Sequence, residues 1–538
     1  MSEPMTQREV DVVVVGSGAA GLMAAVVAAD AGLSVEVLEK ATLVGGTSAW
    51  SGGMPWMPLN EHEVAAGIDD SRNDVLAYLD SLAEGREPDR DLVRVFVDNA
   101  GAALAFLETV TAVTMSTLSA YPDYYADRPG SRLRGRSVEP EPLEARRLLG
   151  EEWYGRVRES PLMPRVTREE MTSGVDIVAL SDERRTAGIR TMGSALISGL
   201  LRAALDRGVT VTTDTPAVGL LSESEGVTGV TAGTAGTVMI HARRGVVLAC
   251  GGFEWNSELV RSFLGVAEIF PLTPGENTGD GLLMGIAAGA SLANMTNAVT
   301  RPCAWDGSSM LDGKPLPFMA TPRQDAGCII VNRHGRRFVN EGVSYMDMGK
   351  AFRAYDPQTA SYPDAGPVWM IFDSEVRDRT SVGDFVPHGP TPSWVAESDS
   401  IAGLASAIEI DPETLVQEVA RYNRFVVAGV DDDFGRGTVW FEGLSQGGPS
   451  AAKNLASIER GPYFAMRLYP GVFGTIGGLR TDARARVTGL DGAPIAGLYA
   501  VGNVSAGVLG QTYPGGGSSL GPNLTFAYLA GRDLATSR

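Results

Sequence analysis

One stretch near the N-terminus limits what this 538-residue chain can fold into. Residues 10–15 read VDVVVV, a β-branched run of the kind a strand buried on both faces requires. It passes directly into Gly16-Ser17-Gly18-Ala19-Ala20-Gly21 and then LMAAVVAADAG, whose alanines predict a helix ending at Gly32. A second β run, residues 34–38, leads to Glu39. Strand, glycines, helix, strand and acid in this order form a mononucleotide-binding half of a Rossmann-like sheet. Gly16 permits the tight turn, Gly18 lets backbone N–H groups approach a pyrophosphate, and Gly21 lets the helix lie on the strand. The helix N-terminus then faces the diphosphate, and Glu39 can accept from a ribose hydroxyl.

Composition excludes several other classes. The 66 glycines exceed the usual share of about 7% and cluster beside apolar runs, as expected where backbone must approach a ligand. Lys+Arg 45 against Asp+Glu 65 leaves −20, a field that repels nucleic-acid phosphate, so no nucleic-acid partner is expected. Cys250, Cys303 and Cys328 are too far apart for a disulfide framework or a CxxC pair, and the four histidines never fall in HxxxH spacing, so no metal site is expected. The leading MSEPMTQREV is polar, unlike a signal peptide, and no run reaches the roughly 20 apolar residues of a membrane span. These features read as a cytoplasmic protein with no transmembrane segment. Residues 128–190, rich in arginine (Arg132, Arg134, Arg136, Arg146, Arg147) interleaved with Glu, read as a solvated, salt-bridged surface, with loose membrane docking as the alternative.

A second small-residue loop, GGTSAWSGG, follows at residues 45–53 and suits a chain that wraps further along an extended FAD. Here the residues resemble the fumarate reductase/succinate dehydrogenase flavoprotein superfamily. The resemblance implies FAD contacts from Glu39, Lys40, Gly46, Thr47, Ser48, Gly52 and Gly53 besides the six residues of the first loop. Some members attach FAD through a His in this loop; none occurs here, so FAD should be non-covalent. Residues 245–253, GVVLACGGF, are a buried strand entering Gly251 and Gly252, like the family's segment beside the adenosine half. Thr278-Gly-Asp280-Gly281 opens a predicted helix, and residues 498–503 form a strand ending at Gly502 and Asn503. The last segment holds Ser519 and Leu520, with Gly521-Pro522 predicted as a helix start. The β-rich residues 209–245, with Ala217 and Val218, match the meander that carries adenine contacts in two-dinucleotide flavoproteins.

The fold class is therefore α/β: a discontinuous Rossmann-like FAD-binding domain with an inserted α+β substrate/catalytic domain. Residues 7–300 form its first part, with a helical insert at about 70–190; 301–465, richer in Pro, Trp and Asp, form the inserted domain; 466–538 close the FAD-binding part.

Three further motifs narrow the resemblance. Tyr121-Pro-Asp-Tyr124-Tyr125 followed by GRSVEPEPLEAR at 135–146, GRRFVNEGVSY at 335–345, and GQTYPGGGSSLGP at 510–522 are similar to the 3-ketosteroid Δ1-dehydrogenase family. Ser344 stands where that family commonly has Pro, and GGGSSLGP where it has GPGATIGP. The resemblance implies 1,2-dehydrogenation of a 3-ketosteroid. Tyr513 OH and the Gly517 N–H clamp the carbonyl, Tyr345 removes the carbon 2 proton with Tyr124 hydrogen-bonded to it, and a hydride leaves carbon 1 for the flavin. A tyrosine titrates near 10, so this base needs hydrogen-bond support and distance from carboxylates; an alkaline optimum and apolar surroundings are expected. On their own residues Tyr121, Tyr124 and Tyr125 are indistinguishable. Trp50, Met54, Trp56 and Phe352 are either pocket-lining or core. A quinone is the expected electron acceptor, since no nicotinamide site is visible. The alternatives are a 3-ketosteroid 4-dehydrogenase, which typically has a different late tyrosine-serine segment, a fumarate-reductase-like enzyme, and an electron-transfer flavoprotein. The second needs Arg and His to hold two carboxylates, and LGQTYPGGGSSLGP has neither.

Overall fold

The computed structural model describes residues 6–86, 89–224, 226–233, 236–266, 268–443 and 448–536; the first five residues of the polar leading segment and the last two of the closing segment lie outside them. The chain forms two compact units. One comprises residues up to Gly265, Thr273–Ala298 and Gly474 onward; the other Val266–Leu272 and Val299–Phe473.

The first unit is built on the valine run. Thr6–Val15 pairs in parallel with Val35–Leu38 on one side and Val238–Leu248 on the other. The sheet continues to Thr210–Thr212 at one edge and through Pro494–Ala500 to Arg486–Thr488 at the other. Parallel strands must be covered on both faces, and Val12, Val13 and Val14 are accordingly fully buried. Helix Ala19–Asp30 is apolar all round, as a helix enclosed by neighbours must be. Gly531 of helix Leu520–Thr536 lies so close to Ala24 and Val27 that a Cβ there would overlap them. That helix begins at Leu520, so Pro522 occupies its third position rather than its first, still within the turn whose N–H groups have no intrahelical partner. The β-rich stretch forms the hairpin Ala217–Glu223/Gly226–Ala232, which joins Val238–Leu248. The insert carries Arg72–Ala83 and Arg90–Val110, the latter burying Val93, Phe96, Val97, Ala100, Leu104 and Leu107 along one stripe.

The arginine-rich stretch is not uniformly a solvated surface. Arg147 is exposed beside Glu144, but Arg136 is 1% exposed, forks onto Asp70 (2.8 and 2.7 Å) and reaches Asp123 at 2.8 Å. Arg190 is buried as well. Charge counting along the chain cannot see carboxylates that folding brings from elsewhere. Trp56 belongs to the first unit's core and Phe352 to that of the second, so both are packing residues.

Glu63 gives this unit a testable pH signature. It closes a capping box with Asn60, and burial, reinforced by Asp70, pushes its carboxyl up to about 7. The folded chain therefore keeps a proton that the unfolded chain loses above about 4.5, and stability falls as pH rises from there to about 7. Glu63→Gln is expected to remove about 3 kcal/mol of that decline. Urea unfolding at several pH values checks this; equal declines in variant and parent would refute it.

The second unit is α+β. Its sheet runs Phe318–Met319, Ala298–Ala304, Tyr463–Thr475, Val368–Asp373, Cys328–Val331, with Val395–Ser398 and Phe270–Pro271 on the long strand. Alternation along the strands buries both faces. Ile329, Val331, Ile371 and Ala465 pack with Leu415, Val419 and Tyr422, while Cys328, Ile330, Met370, Phe372 and Phe464 pack with Met348, Phe352 and Phe385. Among the described residues no helix is long and apolar enough to cross a membrane, and no group of three or more His, Cys, Asp or Glu could hold a metal.

Candidate active site

The cofactor cradle starts at the first turn. Gly16 has φ +109°, and a Cβ there would sit 2.5 Å from the Ala249 carbonyl oxygen; one on Gly21 would overlap the Gly16 carbonyl. A Cβ on Gly18, the N-cap of helix Ala19–Asp30, would meet only Ser48 Oγ, at 3.6 Å, which leaves the helix end open to a phosphate. Ala19 N–H donates to Ser48 Oγ (3.1 Å) and Gly45 N–H to Ser17 Oγ (3.0 Å), so the two small-residue loops are laced together. Glu39 is buried at the end of Val35–Leu38 and accepts from Ser17 N–H (3.1 Å), Ser17 Oγ (2.6 Å) and Ala41 N–H (2.9 Å). Lys40 donates to Thr278 Oγ1 (2.8 Å) and Asp280 Oδ2 (2.7 Å), joining the second strand to the Asp280–Ala287 helix. A Cβ on Gly281 would overlap Cys250 Sγ. Ala217 is buried and Val218 is 51% exposed, on a hairpin strand that borders the same helix.

Behind the second loop lies a network that sequence reading missed. Asn277 donates to Thr47 Oγ1 (2.8 Å) and to Glu254 Oε1 (2.7 Å), and Thr273 donates to that same oxygen (3.0 Å). Burial holds the Glu254 carboxyl above its usual range. Gly251 stands against Asn277, and Gly252 against Glu254 and Thr475, so no side chain fits at either place. Gly46 and Gly52 face open space, while Gly53 lies on the Met192–Gly193 backbone.

The late tyrosine loop is anchored from four directions. Tyr124 N–H (2.8 Å) and Tyr78 OH (2.6 Å) both donate to the Pro514 carbonyl, Ser137 Oγ to Gly516 (2.8 Å), and Trp56 N–H to Gly517 (3.1 Å). Gly517 takes φ +93° with Met54 O and Trp56 N where a Cβ would be, so only glycine fits. Trp56 Nε1 in turn donates to Asp123 (2.9 Å), the acid that Arg136 holds. Burial raises the Asp123 carboxyl and Arg136 opposes it. The Tyr124 and Tyr513 rings stack at 6.0 Å and 27°. Tyr121 meets Tyr124 edge-on, with 3.3 Å between hydroxyls, and Tyr125 packs on the core. A recess brings Tyr513 together with Gly502, Asn503 and Ser519; Asn523 donates to Asn503 Oδ1 (3.0 Å).

Tyr345 lies in the second unit, at the first turn of helix Tyr345–Ala351. Ser344 has φ −47°, close to what proline would impose, so its departure from the family motif leaves the backbone entry intact. The motif before it is a buried ion cluster. Glu341 takes Arg337 (2.8 and 2.9 Å) and Arg436 (3.1 Å), and Arg337 also holds Asp431 (2.9 Å). Arg323 donates to the carbonyls of Glu341 and Val343, two of the residues leading into Tyr345. Phe441 and Phe473 meet the Tyr345 ring edge-on at 5.9 and 6.1 Å. The expected apolar surroundings are only half of what is present: Arg301 stands over the same ring, Cζ 5.6 Å from its centroid. Its position in an otherwise buried strand offered no signal in the sequence.

Residues 11–520 match the protein family described as FAD binding domain. The chain is 38% identical to 4-oxocyclohexanecarboxylate 2-dehydrogenase of Sinomonas cyclohexanicum, covering 98% of this chain and 92% of that one. It is also 38% identical to 3-oxosteroid 1-dehydrogenase of Mycobacterium tuberculosis, covering 99% of each. The crystal structure of 3-ketosteroid Δ1-dehydrogenase from Sterolibacterium denitrificans in complex with 1,4-androstadiene-3,17-dione superposes with a TM-score of 0.90 at 33% identity, covering 99% of this chain and 100% of that one. With the cradle described above, which fits FAD, these findings define an FAD-dependent dehydrogenase. The chain belongs to the 3-oxosteroid 1-dehydrogenase family.

Proposed function

We propose that the chain removes two hydrogens from the carbons α and β to a ring ketone, and that a 3-ketosteroid is its substrate, desaturated between carbons 1 and 2. The observation that carries this reading is the stacked Tyr124–Tyr513 pair beside a loop that accepts only glycine at 517. In this reading Tyr513 OH and Gly517 N–H donate to the ketone oxygen and stabilise the charge that develops there as carbon 2 is deprotonated. Tyr345 takes that proton, and Tyr124 is the supporting phenol. The Gly16–Gly21 turn, Glu39, Lys40 and the second small-residue loop would hold FAD non-covalently, and FAD would supply the hydride acceptor. Residues 7–300, with their helical insert, and 466–538 hold the FAD, and 301–465 supply the substrate/catalytic domain. A quinone takes the electrons onward. The ketone clamp is indifferent to the rest of the ring, so 4-oxocyclohexanecarboxylate, named for one of the relatives, presents the same α,β pair to the same groups.

Anaerobic titration tests the reading. 4-Androstene-3,17-dione is expected to bleach the flavin and succinate is not, with NMR of the product locating a new 1,2-double bond. Bleaching by succinate would favour a dicarboxylate enzyme, and a saturated 4,5-ketosteroid gaining a 4,5-double bond would favour the 4-dehydrogenase.

A further inference from the structure

We infer that Arg301 is a specificity-determining residue that admits ring ketones carrying a carboxylate on the reacting ring, as well as neutral ones. The inference rests on the ketone-desaturation reading above and concerns what else the ketone's ring carries.

Arg301 is the one half-buried residue of Ala298–Ala304, whose other six residues are buried. Its guanidinium lies 5.6 Å from the centroid of Tyr345 and 5.9 Å from that of Phe473, and it donates to Thr321 Oγ1 at 3.0 Å. Whatever Arg301 does for the base, a neutral hydrocarbon ring draws no binding energy from its guanidinium, because the charge must be desolvated against that ring. A carboxylate changes the sign of that balance, since the planar fork of Arg meets both its oxygens. Placement beside the base also selects where the carboxylate sits. A carboxyl on the ketone's own ring is within reach, whereas one at the far end of a rigid four-ring skeleton is three rings away.

The neighbouring charges agree. Arg323 is a second cation coupled to Tyr345, and burial, with Arg301 and Arg436 adding repulsion, pushes its guanidinium down to about 9. Arg323 is occupied by the carbonyls of Glu341 and Val343, and the Glu341 carboxylate by Arg337 and Arg436. Arg301 and Arg323 thus stand near the base in a chain of net charge −20, and at such distances nearby charges outweigh the screened global field. An arginine serving only as a stacking partner for Tyr345 would support acid and ester substrates equally, and the test separates the two.

Flavin reduction by the intact holoenzyme is measured anaerobically with 4-oxocyclohexanecarboxylate, its methyl ester and 4-androstene-3,17-dione, for the parent, Arg301→Met and Arg301→Lys. The parent is expected to prefer the acid to the ester. Arg301→Met should lower the acid-to-ester ratio of kcat/KM by about 10- to 100-fold, chiefly through KM for the acid, with Arg301→Lys in between. A parent that does not prefer the acid, or a ratio that Arg301→Met leaves unchanged, overturns the inference. If the steroid or the ester reduces the flavin and the acid does not, ketone desaturation stands and the role of Arg301 falls. If none of the three ketones reduces it, the underlying reading has failed.

Discussion

Tyr513→Phe is expected to keep its flavin and to lose reduction by a ring ketone by about a hundred- to a thousand-fold, the usual cost of deleting one donor to a developing oxyanion. The variant should fold, because the backbone of its loop is held by Trp56, Tyr78, Tyr124 and Ser137, none of which needs the Tyr513 hydroxyl for those bonds. The flavin absorption spectrum and single-turnover reduction under anaerobic conditions separate the two properties. Full-rate reduction in this variant would remove Tyr513 from the chemistry, whereas loss of flavin together with activity would point to a structural role.

Tyr345→Phe removes the proposed base, and reduction is expected to slow by about a hundred- to ten-thousand-fold with flavin binding intact. The parent carries a second signature. An ordinary tyrosine titrates near 10, so kcat/KM should rise from about pH 6 into the alkaline range, with guanidinium groups near the ring drawing that rise to lower pH. A profile flat over that interval counts against Tyr345 as base even if the Phe variant is slow. Arg301→Met provides a further check, since loss of its charge should move the rise upward.

Some of this was legible without coordinates. The turn at Gly16–Gly21 and its flanking strands depend on residues within about 30 positions of one another, and their spacing alone dictates strand, turn and helix. The three tyrosine motifs were legible as patterns, but the residues around them were not interpretable. Asn340 and Glu341 stood out only as motif letters; folding sets Asn340 against Glu442 and makes Glu341 the centre of an ion cluster leading into Tyr345. The arginine-rich stretch read as surface because its charges balance locally, yet Arg136 is buried against acids from positions 70 and 123 and, through Asp123 and Trp56, braces the loop at 513–517.

What the chain determined by itself was therefore local: a β-branched run, glycines where no Cβ fits, and helical stripes, each set by sterics and periodicity over a few turns of backbone. Only the tertiary structure decided which distant side chains share a neighbourhood, stacking Tyr124 on Tyr513 and setting Arg301 over Tyr345. Contacts of that kind arise from strand register and packing between segments far apart along the chain. No local period records them, and the same charge or phenol reads identically whether it ends in solvent or beside a reacting group.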